Sequence, residues 1–251
     1  MISLSAQNWC IENIETILFD KDGTFIDLHY FWGQMTKLRA KEIINFFQLP
    51  EDYFKDLCQC LGFDIKTQKM LRDGITALYS RSKIIEIFNK DLKKMGVKTT
   101  NQILESIFDN VSNNFYANMT EYTKPINSAI EFIKKLKTKG VKVGVVTSDS
   151  VESANLTIKH FRWEELFDVV IGRESCNATK ESGKPTKLAL DILSANPLTT
   201  LMIGDAPMDY ISAQNAGITN TILVATGQIE RKELEKISTY TVNSLDEITI
   251  L

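Results

Sequence analysis

The chain has 251 residues, of which 43% are hydrophobic and 24% charged, and its 29 basic and 32 acidic side chains leave a net charge of −3. That is ordinary globular composition for one large domain or two small ones. It offers no basic footprint for nucleic acid, and the longest apolar runs fall far short of the ~20 residues a membrane helix needs. Residues 1–15 have neither a basic start nor an apolar stretch, so no secretory signal is expected. The four cysteines (Cys10, Cys58, Cys60, Cys176) make no disulfide framework at this length, and with only His29 and His160 beside them zinc is disfavoured. Reduced thiols in a cytoplasmic protein are expected.

The first element in chain order is the most informative. Thr16-Ile17-Leu18-Phe19 is a short apolar run that reads as a buried strand. It ends in Asp20 and Asp22, followed by Gly23 and Thr24. If strand geometry persists, the two carboxylates point to one side. Like charges so close are costly unless a cation or a reaction uses them. A strand closing in a polar turn would also use Asp and Gly. A calcium loop fits poorly, because it wants its glycine sixth and a Glu twelfth.

Residues from about 28 to 120 carry helical spacing and no convincing strand. Phe31 through Phe47, Ile84 through Met95, and Ile103 through Val111 place apolar groups at helical intervals, as core-facing stripes do. From Pro125 strands and helices alternate: a helix over 129–139, a strand over 141–146, a helix over 151–160, a strand over 167–171, a helix over 187–195, a strand over 200–203, and one over 221–224 flanked by helices. Such alternation implies βαβ units and a parallel sheet covered on both faces. The expected architecture is α/β, a doubly wound parallel sheet interrupted after its first strand by an inserted all-α domain. The expected boundaries are 1–26 plus 121–251 for the core and 27–120 for the insert.

Polar clusters fall at the carboxyl ends of separate strands, where open α/β sheets bind ligands. They are Asp20/Asp22, Thr147/Ser148 and Gly204-Asp205, joined by Gly183-Lys184-Pro185 in a loop before a helix. A Mg²⁺ ion wants oxygen ligands and keeps waters, which leaves room for a substrate phosphate. Lysine and hydroxyl groups can bind the remaining phosphate oxygens. An aspartate can also act as a nucleophile. The segments with strand-end glycines contain neither a dinucleotide-binding nor a Walker-type glycine pattern.

In this combination the chain resembles the haloacid dehalogenase superfamily, in its phosphatase branch with a helical cap of the C1 type. Phosphoglycolate phosphatases are the nearest pattern. The matching motifs are Asp-x-Asp-Gly-Thr at Asp20–Thr24, a hydroxyl at Thr147 with Ser148 beside it, a lysine at Lys184 before Pro185, and Gly-Asp-x-x-x-Asp at Gly204–Asp209. The resemblance implies a Rossmann-like core and an inserted cap. It also implies Mg²⁺ held by Asp20, Asp205 and the backbone carbonyl of Asp22. Asp20 would attack phosphorus. Asp22 would protonate the leaving group and then activate water. Thr147, Ser148 and Lys184 would hold the phosphoryl group, and Asp209 would orient Lys184 or a metal-bound water. Relatives that cleave carbon–halogen or phosphonate bonds lack the acid at the second position, so Asp22 favours a phosphate ester.

The implied substrate is a small phosphorylated molecule, with no nucleic-acid or membrane partner, acted on by a monomer or homodimer. A phosphomutase of the β-phosphoglucomutase type would use the same motifs, and a regulatory protein that only binds phosphate ligands is a further alternative. In the insert, His29, Tyr30, Trp32, Arg39, Arg72, Tyr79 and Arg81 are candidates for substrate selection, and basic groups among them would suit an acidic leaving group such as glycolate. Lys21 has no assigned role.

Overall fold

The computed structural model describes residues 1–251, which divide into two units: 1–27 with 125–251, and 28–124. The return to the first unit thus falls four residues later than 120/121, because the short turn Met119–Tyr122 packs with the insert.

The first unit opens with two antiparallel strands, β1 (Ile2–Ala6) and β2 (Trp9–Ile14), followed by β3 (Thr16–Phe19). The second unit holds α1 (Leu28–Phe47), α2 (Tyr53–Cys60), β4 (Phe63–Asp64), β5 (Lys69–Met70), α3 (Ile75–Leu78), α4 (Arg81–Lys94) and α5 (Asn101–Ala117). The first unit then resumes with α6 (Asn127–Thr138), β6 (Lys142–Val146), α7 (Val151–His160), β7 (Val169–Ile171), α8 (Lys184–Leu193), β8 (Thr200–Gly204), α9 (Pro207–Asn215), β9 (Asn220–Val224), α10 (Arg231–Leu234), β10 (Thr241–Val242) and β11 (Thr249–Ile250). No helix is long and apolar enough to cross a membrane.

Six parallel strands form the main sheet in the order β10-β9-β8-β3-β6-β7. The chain builds outward from β3 through β6 to β7, then crosses to β8 on the other side of β3. The crevice beside β3 is therefore where a doubly wound sheet reverses direction and binds ligands. β3 is buried along its whole length because it faces a core on both sides. Ile17 and Phe19 join the core built with Ile130 and Ile133 of α6 and Ile158 of α7, whereas Leu18 joins the opposite core with Leu190 of α8 and Ala213 of α9. The alternation follows from the two-residue period of a strand.

Three features differ from the sequence reading. First, a three-stranded antiparallel sheet, β11-β1-β2, brings Ile2, Leu4, Ile11 and Ile14 into the first core. Second, the insert is not purely helical: Phe63-Asp64 pairs with Lys69-Met70 in a two-stranded hairpin. Third, α8 begins at Lys184 rather than 187, so Lys184 lies on the helix and not in a loop before it. Gly183 enters in the left-handed region (φ 75°) and Pro185 occupies the first turn, where its missing N–H costs nothing.

The insert leaves after Asp27 and the first unit resumes at Pro125. Ile26 and Pro125 form a β-bridge, and the Ile126 N–H donates to the Phe25 carbonyl at 2.9 Å. Exit and return are thus neighbours, which allows the first unit to carry a long insertion. The insert has apolar clusters of its own, one around Phe88 and Phe108 and one around Phe31, Met35 and Phe115.

Phe19 is fully buried at the end of β3. Phe19→Ala is expected to cost about 3–5 kcal/mol through lost burial and the cavity left behind. A urea denaturation midpoint measures it, and an unchanged midpoint would contradict the placement of β3 at the centre.

Candidate active site

β3 ends at Phe19, and the Asp20 N–H still donates to the Ile203 carbonyl of β8 at 2.8 Å. Beyond it the Lys21 carbonyl accepts from the N–H groups of Thr24, Phe25 and Ile26, turning the chain sharply. Gly23 sits in this turn at φ 90°, and a Cβ there would collide with the Asp205 carboxylate. A Cβ on Gly227 would also collide with the Asp205 carboxylate. Both glycines therefore leave space for Asp205.

The ends of β3 and β8 and the start of α9 gather three buried carboxylates, Asp20, Asp205 and Asp209, with one oxygen of each within 4.8 Å of the others. The lysine among them is Lys180. Its Nζ lies 2.6 Å from Asp20 Oδ1 and 2.6 Å from Asp209 Oδ1. Lys180 is 5% exposed and stands in the short turn Lys180–Ser182. Lys184, four residues further on, is exposed. This corrects the sequence expectation, which took the lysine beside Pro185. The segment Lys180-Glu181-Ser182-Gly183-Lys184-Pro185 offers two lysines four apart, and the left-handed Gly183 between them separates their directions. The only signal for Lys180 in the sequence was its position upstream of that glycine.

Asp209 also accepts the Ala206 N–H at 3.0 Å, capping the amino end of α9 while it holds Lys180. The sequence reading had Asp209 orienting Lys184; its lysine partner is Lys180.

Asp22 does not join the carboxylate cluster. Its Oδ1 accepts from Lys21 Nζ at 2.6 Å, and the same Nζ lies 3.1 Å from Asp149 Oδ2. Asp149 in turn accepts from the Ser153 hydroxyl at 2.6 Å and from the Ser150 N–H at 2.8 Å. Lys21 is 1% exposed. The buried Lys21 ammonium thus bridges two carboxylates from separate segments, Asp22 and Asp149, and the sequence reading assigned neither Lys21 nor Asp149 a role. The Thr147 hydroxyl, buried at the end of β6, accepts the Asp149 N–H at 3.0 Å. Ser148 is exposed, with its hydroxyl 3.4 Å from Met208 Sδ.

Burial pushes the Asp20 carboxyl up to about 6 against the pull of Lys180, with Asp209 adding to the rise. Burial raises Asp205 well above the usual carboxylate range, reinforced by Asp20 and Asp209. Burial alone would lower the Lys180 amine, but Asp20 and Asp209 hold it above the ordinary lysine range. Three carboxylates facing one ammonium leave an excess of buried negative charge, and an all-oxygen donor set of this kind suits a hard divalent cation. Asp20 and Asp205 are the anchors this set offers, since both oxygens of Asp209 are engaged by Lys180 and Ala206.

Residues 61–224 match the model of the haloacid dehalogenase-like hydrolases. The chain belongs to that family. A Caldanaerobacter subterraneus relative, assigned provisionally as the pyrophosphatase PpaX, is 29% identical over 82% of this chain and 79% of its own length. The pyrophosphatase PpaX of Bacillus cereus is 25% identical over 81% and 80%. Among solved structures, a protein described as a predicted phosphoglycolate phosphatase from Haemophilus somnus aligns over 94% of this chain and 97% of its own, with a TM-score of 0.67 at 15% identity. A Thermotoga maritima protein assigned provisionally as a β-phosphoglucomutase aligns over 93% and 96%, with a TM-score of 0.69 at 17% identity. These two likenesses concern the fold.

Two outcomes test the site. Lys180→Met leaves buried carboxylates without their cation and is expected to lower stability by about 3–5 kcal/mol, whereas Lys184→Met should stay within about 0.5 kcal/mol of wild type; denaturant midpoints separate them. In EDTA, the raised carboxyl of Asp20 makes the folded state hold its proton more tightly than the unfolded state. Stability should therefore fall as pH rises from about 4 through about 6. Melting curves across that window check the sign, and Asp20→Asn should flatten the slope.

Proposed function

We propose that this hydrolase is a Mg²⁺-dependent phosphatase that cleaves a small phosphate monoester through an aspartyl-phosphate intermediate. The observation that carries this reading is Asp20 at the end of the central strand, in one buried cluster with Asp205, Asp209 and Lys180. A nucleophilic carboxylate next to a phosphate needs cationic neighbours to offset the meeting of like charges.

In the proposed reaction an Asp20 oxygen attacks phosphorus and the bond to the leaving oxygen breaks. Asp22 supplies the proton that oxygen takes up. In the second half, Asp22 removes a proton from water, whose oxygen attacks the same phosphorus and releases inorganic phosphate, regenerating Asp20. Lys180 binds a phosphoryl oxygen, and Asp209 holds Lys180 in place. Thr147 and Ser148, at the end of the neighbouring strand, supply hydroxyl groups to the remaining oxygens. Bound at Asp20 and Asp205, with the Asp22 carbonyl, Mg²⁺ would supply charge neutralisation for the transferring group. Lys21 and Asp149 fix the position of Asp22.

Two substrate classes compete, a phosphate monoester and a phosphoanhydride. The sequence resemblance favours an ester with an acidic alcohol, such as phosphoglycolate. The PpaX relatives, matched over about four-fifths of the chain, favour pyrophosphate. Both are small phosphate compounds with an anionic leaving group.

Phosphate release from a panel containing 2-phosphoglycolate, pyrophosphate, sugar phosphates and nucleotides tests the proposal, with Mg²⁺ and with EDTA. Asp20→Asn is expected to abolish turnover and the trapped phosphoenzyme, and Asp22→Asn to lower turnover at least ~100-fold while Mg²⁺ still raises the melting temperature. Wild-type rates from either variant would overturn its role, and a need for a bisphosphate activator would favour a mutase.

A further inference from the structure

Beyond the ends of β3 and β6, one sealed ammonium stands between two carboxylates. The Lys21 Nζ lies 2.6 Å from Asp22 Oδ1 and 3.1 Å from Asp149 Oδ2, and the lysine side chain is 2% exposed against 21% for each carboxylate. The Lys21 carbonyl accepts three N–H groups in the turn after β3, so the backbone that carries the ammonium is fixed. Asp149 is fixed as firmly. Its carboxylate accepts the Ser150 N–H at 2.8 Å and the Ser153 hydroxyl at 2.6 Å, and its carbonyl accepts the Arg173 N–H at 2.8 Å. The Glu174 carboxylate accepts the Val151 N–H at 2.8 Å, so the loop after β7 holds the same corner from its other side. That loop approaches closely because a Cβ on Gly172 would collide with the Val151 nitrogen and the Asp149 carbonyl.

Two carboxylates sharing one ammonium do different work. In the reaction proposed above, Asp22 gives a proton to the leaving oxygen and later takes one from water, so its charge changes in every turnover. While Asp22 holds its proton, Lys21 needs another counter-charge, because a buried ammonium left unpaired is costly. Asp149 is placed to supply it throughout. Two hydrogen bonds donated to its carboxylate favour the charged form. The ten-residue helix α7 starts two residues later with Ser150 as its cap, and its positive end favours the same charge. Asp149 therefore stays a carboxylate while Asp22 alternates.

We propose that Asp149 is a positioning residue for the acid role of Asp22, acting through Lys21: it neutralises the ammonium while Asp22 carries its proton and gives it up. Lys21 meets Asp22 at Oδ1, which leaves Oδ2 for the proton that is exchanged. This role rests on the phosphatase reading above. Without the Asp149 charge, Asp22 stays a carboxylate to neutralise Lys21. The bond between phosphorus and the leaving oxygen then breaks with no proton arriving, and the electron pair stays on that oxygen as negative charge. A good leaving group tolerates this, and a poor one does not.

Asp149→Asn removes the charge and keeps the size. The measurement is kcat/KM for phenyl phosphate divided by that for p-nitrophenyl phosphate, two esters of similar shape whose leaving oxygens differ in their need for a proton. This quantity reports the steps up to the phosphoenzyme. In Asp149→Asn the ratio is expected to fall about tenfold or more, and Asp149→Glu, which keeps the charge, should restore most of it. An aspartate that only supports the fold would slow both esters equally, so an equal loss or an unchanged ratio overturns the proposal. If Asp149→Asn does not fold, Ser153→Ala removes one hydrogen bond from the Asp149 carboxylate and should lower the ratio about twofold or more; an unchanged ratio there overturns it as well. A wild type that releases phosphate from no compound fails the phosphatase reading and takes this role with it, whereas wild-type turnover with no leaving-group effect in the variants removes the role of Asp149 alone.

Discussion

The ammonium of Lys180 lets three buried carboxylates share one pocket. Without it, Asp20 and Asp209 would face each other and Asp205 uncompensated, in a space closed by the Gly23 turn and by Gly227. Charges buried this way are held by geometry more than by net energy, since desolvation offsets most of the attraction. The surrounding structure supplies that geometry. β3 and β8 run side by side and end together, α9 starts where β8 stops, and the turn at residues 180–182, packed against α9, delivers the lysine. A second buried ammonium, Lys21, performs a parallel task for Asp22 with Asp149 as its other partner. Each of the two aspartates just beyond β3 thus has its own lysine.

Much of this was legible from the residues. β3, β6, β8 and β9 were recognisable because a strand covered on both faces must be apolar without interruption. Asp20 and Asp205 were recognisable because they follow such strands. β1, β2 and β11 were not, because they alternate buried with more exposed residues rather than running apolar throughout, and β11 pairs with β1 from the opposite end of the chain, as in Ile250 with Leu4. No local pattern encodes that pairing. The choice between Lys180 and Lys184 failed for a related reason. Both neighbour the same glycine, and only the left-handed turn at Gly183 decides which one points inward. The link between Lys21 and Asp149 joins residues far apart in the chain and could not be read from either segment alone.

The insert follows other rules. Its helices bury amphipathic faces around Phe88, Phe108 and Phe115, and its spacing announced them. Arg39 breaks that pattern by placing a guanidinium at a position where the helical period calls for an apolar group. Departures from local consistency of this sort are where function tends to reside. Asp22 and Asp149 in the first unit make the same point, since a turn needs neither of them charged.

The order in which the parts are made adds a further consequence. Asp20 and Lys180 are separated by 160 residues of chain. At roughly 5–20 residues per second, synthesis leaves Asp20 waiting on the order of 8–30 seconds for its cation. Both strands that flank β3 also arrive late, and β8 comes later than Lys180 itself. The insert, complete by Lys124 and built mostly from local helical contacts, can fold during that interval. The newborn chain therefore carries an uncovered Thr16–Phe19 segment beside a finished helical unit, and the parallel sheet closes around that segment last.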